Sequence, residues 1–452
     1  MTKKALLITG QESETISTLA RNLIPAGGLS LFARQMKQMK AIGVDEMHII
    51  TDWFVPDFER EIKNCTNRPE TVHIHSTKTA PLKLLEHNIE GNNWYLIEEG
   101  VIIDDRIINH IDQHPSPTVI SFIGHHEFLE ERTAHGITLP LDTEEGYFGS
   151  LARLSSATLA ANVRKLNSLD ALPGALMAIS RANDCELVKV IDIPRYMASR
   201  QRNVDMVWLP LMRREDEHKG TAVLLEQTEM PGQDWVARYI YRHIENFTVK
   251  YLCKTPVSPN HLTILASLIG AYIIYLFWYG HIVAALFAAF GTNILYGISR
   301  KLGHLKRIAP KFDVPARLYK KAVTYGYYAA IAGYLWGFHG LVPVLLVLTL
   351  ILFHLADEIQ GEFLRRMTGH PLWYGIGFDR KFQLIAAGPN ITLWALLPFF
   401  YFDQWLIGLG FASGYVIITF FVHQLRLVYH LKNIMVTESE TFARNFRKTK
   451  IL

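Results

Sequence analysis

The spacing of hydrophobic residues divides the chain into two halves. Up to about residue 230, short apolar runs of strand-like composition alternate with stretches of helical periodicity. The apolar runs are "KKALLIT", "DEMHIIT", "NWYLIEE" and "PTVISFIG", and the helical stretches include 29–43 and 80–91. Alternation of this kind predicts an α/β domain whose parallel sheet carries helices on both faces.

Longer apolar stretches follow residue 260, and each can span or nearly span a bilayer. We predict six spans, near 262–278, 282–298, 322–337, 341–356, 383–401 and 405–424. The alternative is a set of buried helices in a large soluble protein. That alternative does not explain why charge differs so regularly between successive connections.

The connections at 279–281, 338–340 and 402–404 are very short and contain no Lys or Arg. The opposite side holds the basic segment 299–321, the mixed segment 357–382 and the tail 444–450. Positively charged loops stay in the cytoplasm. We therefore predict a multi-pass protein of the cytoplasmic (inner) membrane with both termini inside the cell.

These patterns predict an α/β cytoplasmic domain (1–230), an interfacial amphipathic helix and linker (231–261), a six-span membrane domain (262–430) and a basic cytoplasmic tail (431–452). In the linker, Trp235, Tyr239, Phe247 and Tyr251 are interspersed with basic residues. Aromatic rings at headgroup depth and bases near lipid phosphate are typical of an interfacial helix. A linker helix packed on protein is the alternative.

Composition and short motifs exclude several classes of function. The net charge of +4 is too small to indicate nucleic acid binding, and we expect none. Cys65, Cys185 and Cys253 are scattered, which fits a reducing compartment or no disulfide role. The loop after the first predicted strand, 9–28, contains neither GxGxxG nor GxxxxGK[ST], and so has no recognisable phosphate-binding motif.

Charge is most uneven in the segment 293–323, where eight Lys or Arg lie between Arg300 and Lys321 against one acid, Asp313. Such a segment repels divalent cations and attracts anions. The residues that we expect to bind a phosphate or an anionic lipid headgroup are Arg300, Lys301, Lys306, Arg307, Arg380 and Lys381. The alternative is positive charge that only fixes the topology.

Three segments carry a family resemblance. "IENFTVKYLCKTPVSPNHLTILASLIG" resembles the entry to the membrane domain of the CDP-alcohol phosphatidyltransferases. "FDRKFQLIAAGPNITLWALLPFF" is similar to the loop and fifth span of bacterial members with an N-terminal extension. "IPAGGLSLFARQMKQMKAIGVDEMHIIT" resembles a sugar-phosphate nucleotidyltransferase segment. The resemblance implies a nucleotidyltransferase-like (Rossmann-like) α/β domain followed by an all-α domain of six transmembrane helices.

In that family, aspartates of the pattern D-x-x-D-G-x-x-A-R … D-x-x-x-D hold two divalent cations at the CDP pyrophosphate, and the last one acts as base. Here Asn293 and Tyr296 replace the first two aspartates, Gly297 remains, and Arg300 and Lys301 stand in the A-R positions. The second pair falls near Lys320 and Thr324. The resemblance therefore implies a degenerate site, with no metal cofactor expected.

The soluble half also lacks residues that its family uses for catalysis and nucleotide binding. Glu99-Gly100-Val101 stands where a nucleotidyltransferase has a metal-binding D-x-D, so that Val101 replaces the second acid. The G-x-G-x-R nucleotide loop is also missing. We therefore expect the soluble half to retain the scaffold of that family rather than its catalytic residues.

A rival acidic site lies at 357–383, where Asp357, Gly361, Arg365, Gly375 and Asp379 follow the same pattern. Gln360 and Gln383 replace two of its aspartates. If catalysis persisted with displaced ligands such as Asp357 and Asp379, Mg²⁺ or Mn²⁺ would be needed. The alternative is a cytoplasmic loop whose acids and bases neutralise each other.

Three functions are consistent with the sequence. The first is a catalytically degenerate membrane protein of phospholipid or polar-lipid biosynthesis, which binds membrane lipid or an active paralogue. The second is a working transferase that moves a phospho-alcohol or phosphatidyl group from a CDP-linked donor. The third is a membrane scaffold whose soluble domain recruits a partner. The resemblance also implies a homodimer, or a heteromer with the paralogue.

Overall fold

The computed structural model describes residues 2–14, 19–79, 93–124, 138–140, 145–162, 166, 170–181, 185–197, 202–229, 232–308, 313–372, 377–400 and 402–437. The chain forms two compact units. The first comprises Met1–Arg195, Val204–Gln227 and Leu305–Arg307, and the second comprises Tyr196–Asn203, Thr228–His304 and Ile308–Leu452. The helical stretch predicted at 80–91 and the basic segment 444–450 lie outside the described residues.

The strands alternate with helices through the first unit, as the sequence predicts. In chain order the strands are β1 (Lys3–Ile8), β2 (Pro25–Ala26), β3 (Leu29–Ser30), β4 (Val44–Ile50), β5 (Thr71–His75), β6 (Asn93–Ile97), β7 (Val101–Ile103), β8 (Thr118–Gly124), β9 (Thr138–Pro140), β10 (Glu145–Leu154), β11 (Cys185–Lys189), β12 (Tyr196–Met197), β13 (Arg202–Asn203) and β14 (Trp208–Pro210). The helices of this unit are α1 (Leu31–Ala41), α2 (Val55–Asn64), α3 (Asp105–Gln113), α4 (Ser156–Asn162), α5 (Leu172–Ser180) and α6 (Glu217–Gln227).

The main sheet has the strand order β11-β8-β10-β6-β1-β4-β5, with β9 paired to β10. The pairs β1–β4, β1–β6, β4–β5 and β8–β11 are parallel, whereas β10 runs antiparallel to β6 and β8. The prediction of an α/β sheet is confirmed, but the sheet is mixed rather than wholly parallel.

Both faces of the sheet are covered, which explains the continuous apolar runs. Successive residues of a strand point to opposite faces. In β1, Ala5 and Leu7 belong to one buried cluster, and Leu6 and Ile8 belong to another. A strand buried on both faces needs apolar residues at every position rather than at alternate ones.

The second unit is helical apart from the β12–β13 pair, which also belongs to it. Its helical part begins with a π-helical turn (Ala237–Tyr241) that continues into α7 (Arg242–Leu252). The later helices are α8 (Pro259–Trp278), α9 (Ile282–Leu305), α10 (Asp313–His339), α11 (Val342–Thr368), α12 (Gly377–Ile385), α13 (Pro389–Trp394), α14 (Leu397–Phe400) and α15 (Trp405–Thr437). The short connections predicted at 279–281 and 402–404 lie between helices, whereas α10 continues to His339, so that the break near the predicted 338–340 is at 340–341.

Within the described residues, four helices are long and apolar enough to cross a membrane: Pro259–Trp278, Ile282–Leu305, Val342–Thr368 and Trp405–Asn433. A fifth is added if the bent pair Gly377–Ile385 and Pro389–Phe399 forms one span. The predicted count of six is not confirmed. The predicted third span, 322–337, lies within α10, whose apolar part follows Lys320 and Lys321 and is shorter than the roughly 20 residues a span requires.

The segment predicted as an interfacial helix and linker packs within the second unit along one face. Val236, Tyr241 and Val249 are buried there, and the Tyr241 hydroxyl accepts a hydrogen bond from Trp394 Nε1 at 2.8 Å. The predicted aromatic residues Trp235, Tyr239, Phe247 and Tyr251 are all exposed. The helix thus combines the packed face of the alternative with the exposed aromatic face expected of an interfacial helix.

Candidate functional site

The loop after β1, where an α/β sheet commonly binds a nucleotide, holds a carboxylate of the chain itself. Glu99 accepts hydrogen bonds from Thr9 Oγ1 at 2.6 Å, from the Gly10 amide at 2.9 Å and from the Gln11 amide at 3.2 Å. Backbone amides grouped in this way suit an anion. Here the anion is the side chain of Glu99, and burial raises the pKa of that carboxyl.

A second carboxyl lies beside it on the interior of the sheet domain. Glu98 accepts a hydrogen bond from Ser150 Oγ at 2.5 Å, and Ser150 accepts one from Trp208 Nε1 at 2.7 Å. Burial raises the pKa of Glu98 to about 7, against the opposing effects of the Ser150 hydrogen bond and the Arg21 charge. Glu99 stands where the resemblance predicts a metal-binding acid, but no pattern in the sequence indicates that both acids are enclosed by the protein.

In the second unit, Lys301 on α9 is fully buried and surrounded by acceptors. Its ammonium lies 2.9 Å from Glu229 Oε1, 3.0 Å from Glu245 Oε2 and 2.7 Å from Asn246 Oδ1. An ammonium has three N–H donors. Each of the three N–H donors therefore has an acceptor, and all three acceptors precede the first span in the chain. The charge of Lys301 is neutralised inside the protein.

Gly297 allows this arrangement. A side chain at that position would overlap the carboxylate of Glu245, well inside the 3.0 Å that real Cβ atoms keep from other atoms. The glycine that the resemblance marks as retained therefore admits a carboxylate from α7 against α9. Glu229 and Glu245 are functional residues that were not predicted from the sequence, although Glu245 stands out as an acid within the basic segment 234–263.

The first two positions of the predicted signature carry neutral side chains with neutral partners. Asn293 Nδ2 donates to Asn390 Oδ1 at 3.5 Å, and Asn390 in turn donates to Asp234. The Tyr296 hydroxyl lies 3.0 Å from Ser267 Oγ. Asp234, which this chain of hydrogen bonds reaches, already caps the Ala237 amide at 2.8 Å.

The structure brings Tyr296 together with Lys320, which the predicted register places at the second pair of positions. The Lys320 ammonium lies over the Tyr296 ring, 4.9 Å from its centroid. Arg300 is near enough to Lys320 to interact with it electrostatically, and its Nε is buried without a hydrogen-bond partner among the described residues. Thr324 instead bonds its hydroxyl to the Lys320 carbonyl within α10.

The positions that the family gives to metal-binding aspartates thus hold one cation, Lys320, and neutral side chains at Asn293, Tyr296 and Thr324. These donors do not fit a pair of divalent cations, which require carboxylate oxygens. The group fits an anion better, because Lys320 lies over the Tyr296 ring one turn from Arg300, and neither cation is bonded to an acid within the part of the chain that the structure describes. Glu229 and Glu245 influence Arg300 electrostatically without forming a bond to it.

The remaining predicted basic residues are not part of this group. Arg307 pairs with Asp105 at 2.9 Å in the first unit, and the Lys306 carbonyl accepts a hydrogen bond from Lys37 at 3.0 Å. Arg380 and Lys381 are exposed on α12. The structure therefore distributes the six predicted anion-binding residues over four environments, and among these six Arg300 is the one with an unsatisfied buried donor.

Each of the rival acidic residues has hydrogen-bond partners of its own. Asp357 accepts from His423 Nδ1 at 2.8 Å and from Gln360 Nε2 at 2.6 Å. Asp379 is bound by Arg426 at 2.5 Å and by His430 at 2.8 Å. Among the described residues, no group of three or more His, Cys, Asp or Glu side chains has the geometry to hold a metal ion.

The chain matches no family model and no curated protein sequence. Its N-terminal half resembles solved nucleotidyltransferase structures. HddC from Yersinia pseudotuberculosis is 12% identical, with a TM-score of 0.34, over 49% of this chain and 99% of that one. The CTP:phosphocholine cytidylyltransferase of Streptococcus pneumoniae is 9% identical, with a TM-score of 0.35, over 50% of this chain and 100% of that one.

The inositol-1-phosphate CTP transferase from T. maritima is 9% identical, with a TM-score of 0.37, over 49% of this chain and 94% of that one. At these values the likeness does not extend to substrate or activity. The resemblance of the membrane half to the CDP-alcohol phosphatidyltransferases stays a prediction.

Proposed function

We propose that the chain is a membrane protein of polar-lipid metabolism that binds the phosphate group of a lipid without transferring it. The observation that carries the proposal is that the Lys320 ammonium lies 4.9 Å from the centroid of the Tyr296 ring, one helical turn before Arg300 on α9, with no acid bonded to either cation among the described residues. Guanidinium and ammonium groups in a partly desolvated site bind phosphate through strong charge-assisted hydrogen bonds.

The surrounding residues support binding rather than transfer. Asn293 and Tyr296 carry no charge, and the nearby acids Glu229 and Glu245 neutralise Lys301. The α/β unit supports the same conclusion, because Glu99 already accepts the amide hydrogens of the loop after β1. We infer that the soluble domain no longer cycles a nucleotide there and that it serves recognition of a partner, such as an active paralogue.

Transfer and binding are separated by an activity assay on the full-length protein. Purified protein is incubated with radiolabelled CDP-diacylglycerol and a panel of alcohols, with Mg²⁺ or Mn²⁺ and with EDTA. We expect no release of CMP, while an active CDP-alcohol phosphatidyltransferase turns over in the same assay. Metal-dependent release of CMP would overturn the proposal and favour the working transferase.

Binding is measured by native mass spectrometry of the full-length protein with phosphatidic acid. Replacing Arg300 or Lys320 by Gln should weaken phosphatidic acid binding about tenfold or more, because a charge-assisted hydrogen bond is lost. Lys321→Gln is the matched control, since Lys321 is adjacent but bonds to Glu358. Equal affinity in all three variants and the wild type would contradict the proposal.

A further inference from the structure

The second unit contains a cavity of about 920 Å³ that the proposed phosphate site does not use. It lies beside the C-terminal half of α11, is also lined by residues of α12 and α15, and is open on one side. Its polar lining includes Asp357, Gln360, Gln383 and His423. Ionisable and amide side chains on membrane-spanning helices are costly to bury and commonly mark a binding site.

One buried atom in this lining lacks a partner. Gln360 is 8% exposed, and its Nε2 donates to Asp357 Oδ1 at 2.6 Å and to the Phe420 carbonyl at 3.2 Å. Its Oε1 is buried with no hydrogen-bond partner among the described residues. A buried acceptor without a donor is unfavourable. A ligand that brings a donor to this oxygen would remove that cost.

His423 adds a second acceptor. Its Nδ1 lies 2.8 Å and 3.1 Å from the two carboxylate oxygens of Asp357. An ionised carboxylate can only accept, so Nδ1 carries the hydrogen, and Nε2 of the neutral imidazole is left as an acceptor. The Asp357 carboxylate thus orients the ring in the way that acids commonly orient a functional histidine.

The charged residues of the lining are already paired with each other or with neighbours. Arg365 and Arg366 both bond to Glu362, at 2.7 Å and 2.9 Å, and Glu358 pairs with Lys321. What the cavity offers a ligand is therefore hydrogen-bond acceptors, on Gln360 and His423, rather than an excess of positive charge. This distinguishes it from the group around Arg300 and Lys320.

Apolar side chains adjoin the polar lining. Leu355, Ile359 and Phe363 line the same cavity and are also exposed on α11. They lie where the apolar part of this helix gives way to the charged residues 357–366. A site with apolar residues on one side and acceptors on the other, at the end of a span, fits the headgroup and upper acyl chain of a membrane lipid.

We propose that this cavity binds a polar lipid whose headgroup carries hydrogen-bond donors, which reach Gln360 Oε1 and His423 Nε2. An ammonium group and a hydroxyl group both supply such donors. Phosphatidylethanolamine represents the first source and phosphatidylglycerol the second. Phosphatidylcholine has the same phosphate and a similar size but no donor on its headgroup, and so provides a matched negative probe.

The test measures binding of these three lipids to the full-length protein by native mass spectrometry. We expect phosphatidylethanolamine, phosphatidylglycerol or both to bind about tenfold more tightly than phosphatidylcholine, as one additional hydrogen bond in a buried site implies. Preference for phosphatidylethanolamine alone would assign the donor as an ammonium group. Preference for phosphatidylglycerol alone would assign it as a hydroxyl group. Equal binding of all three lipids by the wild type would overturn the proposal without need of a variant.

Variants then locate the preference. Gln360→Met keeps the length of the side chain and removes its oxygen, so the preferred lipid should bind no better than phosphatidylcholine. Gln424→Met is the control, because Gln424 follows His423 on α15 but does not line the cavity. Arg300→Gln should leave the preference unchanged, which separates this site from the proposed phosphate site. A preference that survives Gln360→Met would contradict the proposal.

Discussion

The carboxylate of Glu245 occupies the space that a side chain on Gly297 would need. This close approach of α7 to α9 brings Glu245 to 3.0 Å from the Lys301 ammonium. An acid from one helix therefore neutralises a base from another, in the part of the chain where the sequence suggests only an excess of positive charge.

The first prediction concerns Gly297→Ala. In an open helix, replacing Gly by Ala stabilises by about 0.5–1 kcal/mol. At Gly297 the added methyl group must displace Glu245, so we expect a loss of about 1–3 kcal/mol instead. Thermal unfolding of the detergent-solubilised protein measures the change.

Gly291→Ala is the matched control, since Gly291 lies on the same helix and nothing approaches its Cβ position within 4 Å. It should be neutral or stabilising. If both alanine variants behaved alike, the close approach of Glu245 would have no energetic consequence, and the prediction would be wrong.

The second prediction is that Lys301→Met destabilises the second unit strongly. The substitution leaves Glu229 and Glu245 buried without their shared cation, and breaking a buried ion pair from one side costs about 3–5 kcal/mol. Lys321→Met removes an ion pair whose side chains are 48% and 49% exposed, so it should cost less than about 1 kcal/mol.

Thermal unfolding of the full-length protein compares the two lysine variants. Adding Glu245→Gln to Lys301→Met should recover part of the loss, because the unpaired charge of Glu245 disappears, whereas Glu229 keeps its ion pair with Arg242 at 3.3 Å. No recovery in the double variant would count against the charge pairing as the source of the effect.

The elements of the first unit follow from local patterns, and the acids around Lys301 do not. β1, β4, β6 and β8 coincide with the predicted apolar runs, because strands buried on both faces read as continuous apolar segments. β10 enters the sheet between β6 and β8 in the antiparallel direction, and this pairing depends on contacts far apart in the chain. No local pattern specifies it.

The same limit applies to the candidate site. The sequence identifies Lys301 as a base in an acid-poor segment, but Glu229 lies 72 residues upstream, and only the packing of helices brings the two together. Gly297 gave the one local indication of a close contact. The cavity beside α11 could not be predicted either, since Gln360 and His423 meet through separate helices.

The third prediction concerns the carboxylate that fills the loop after β1. Glu99→Ala leaves the amides of Gly10 and Gln11 without their acceptor, and we expect the loop to lose about 1–3 kcal/mol of local stability. Hydrogen exchange of peptides covering residues 9–11 should then become faster. Glu12→Ala is the control, because Glu12 is exposed in the same loop and its side chain should not affect exchange. Equal protection in both variants would exclude Glu99 as the anion that orders this loop.

The fourth prediction is a pH dependence that originates from Glu98. Burial raises the pKa of this carboxyl from the ordinary 4.5 to about 7, so the folded state binds the proton more tightly than the unfolded state. Stability from this group is fully present below about pH 4.5 and is lost as the pH rises through about 7, by on the order of 3 kcal/mol. Hydrogen exchange of β6 and β10, corrected for the intrinsic pH effect, should show weaker protection at pH 8 than at pH 5. Glu98→Gln keeps the acceptor for Ser150 and cannot ionise, so its protection should vary less with pH. An unchanged pH dependence in that variant would show that another group titrates.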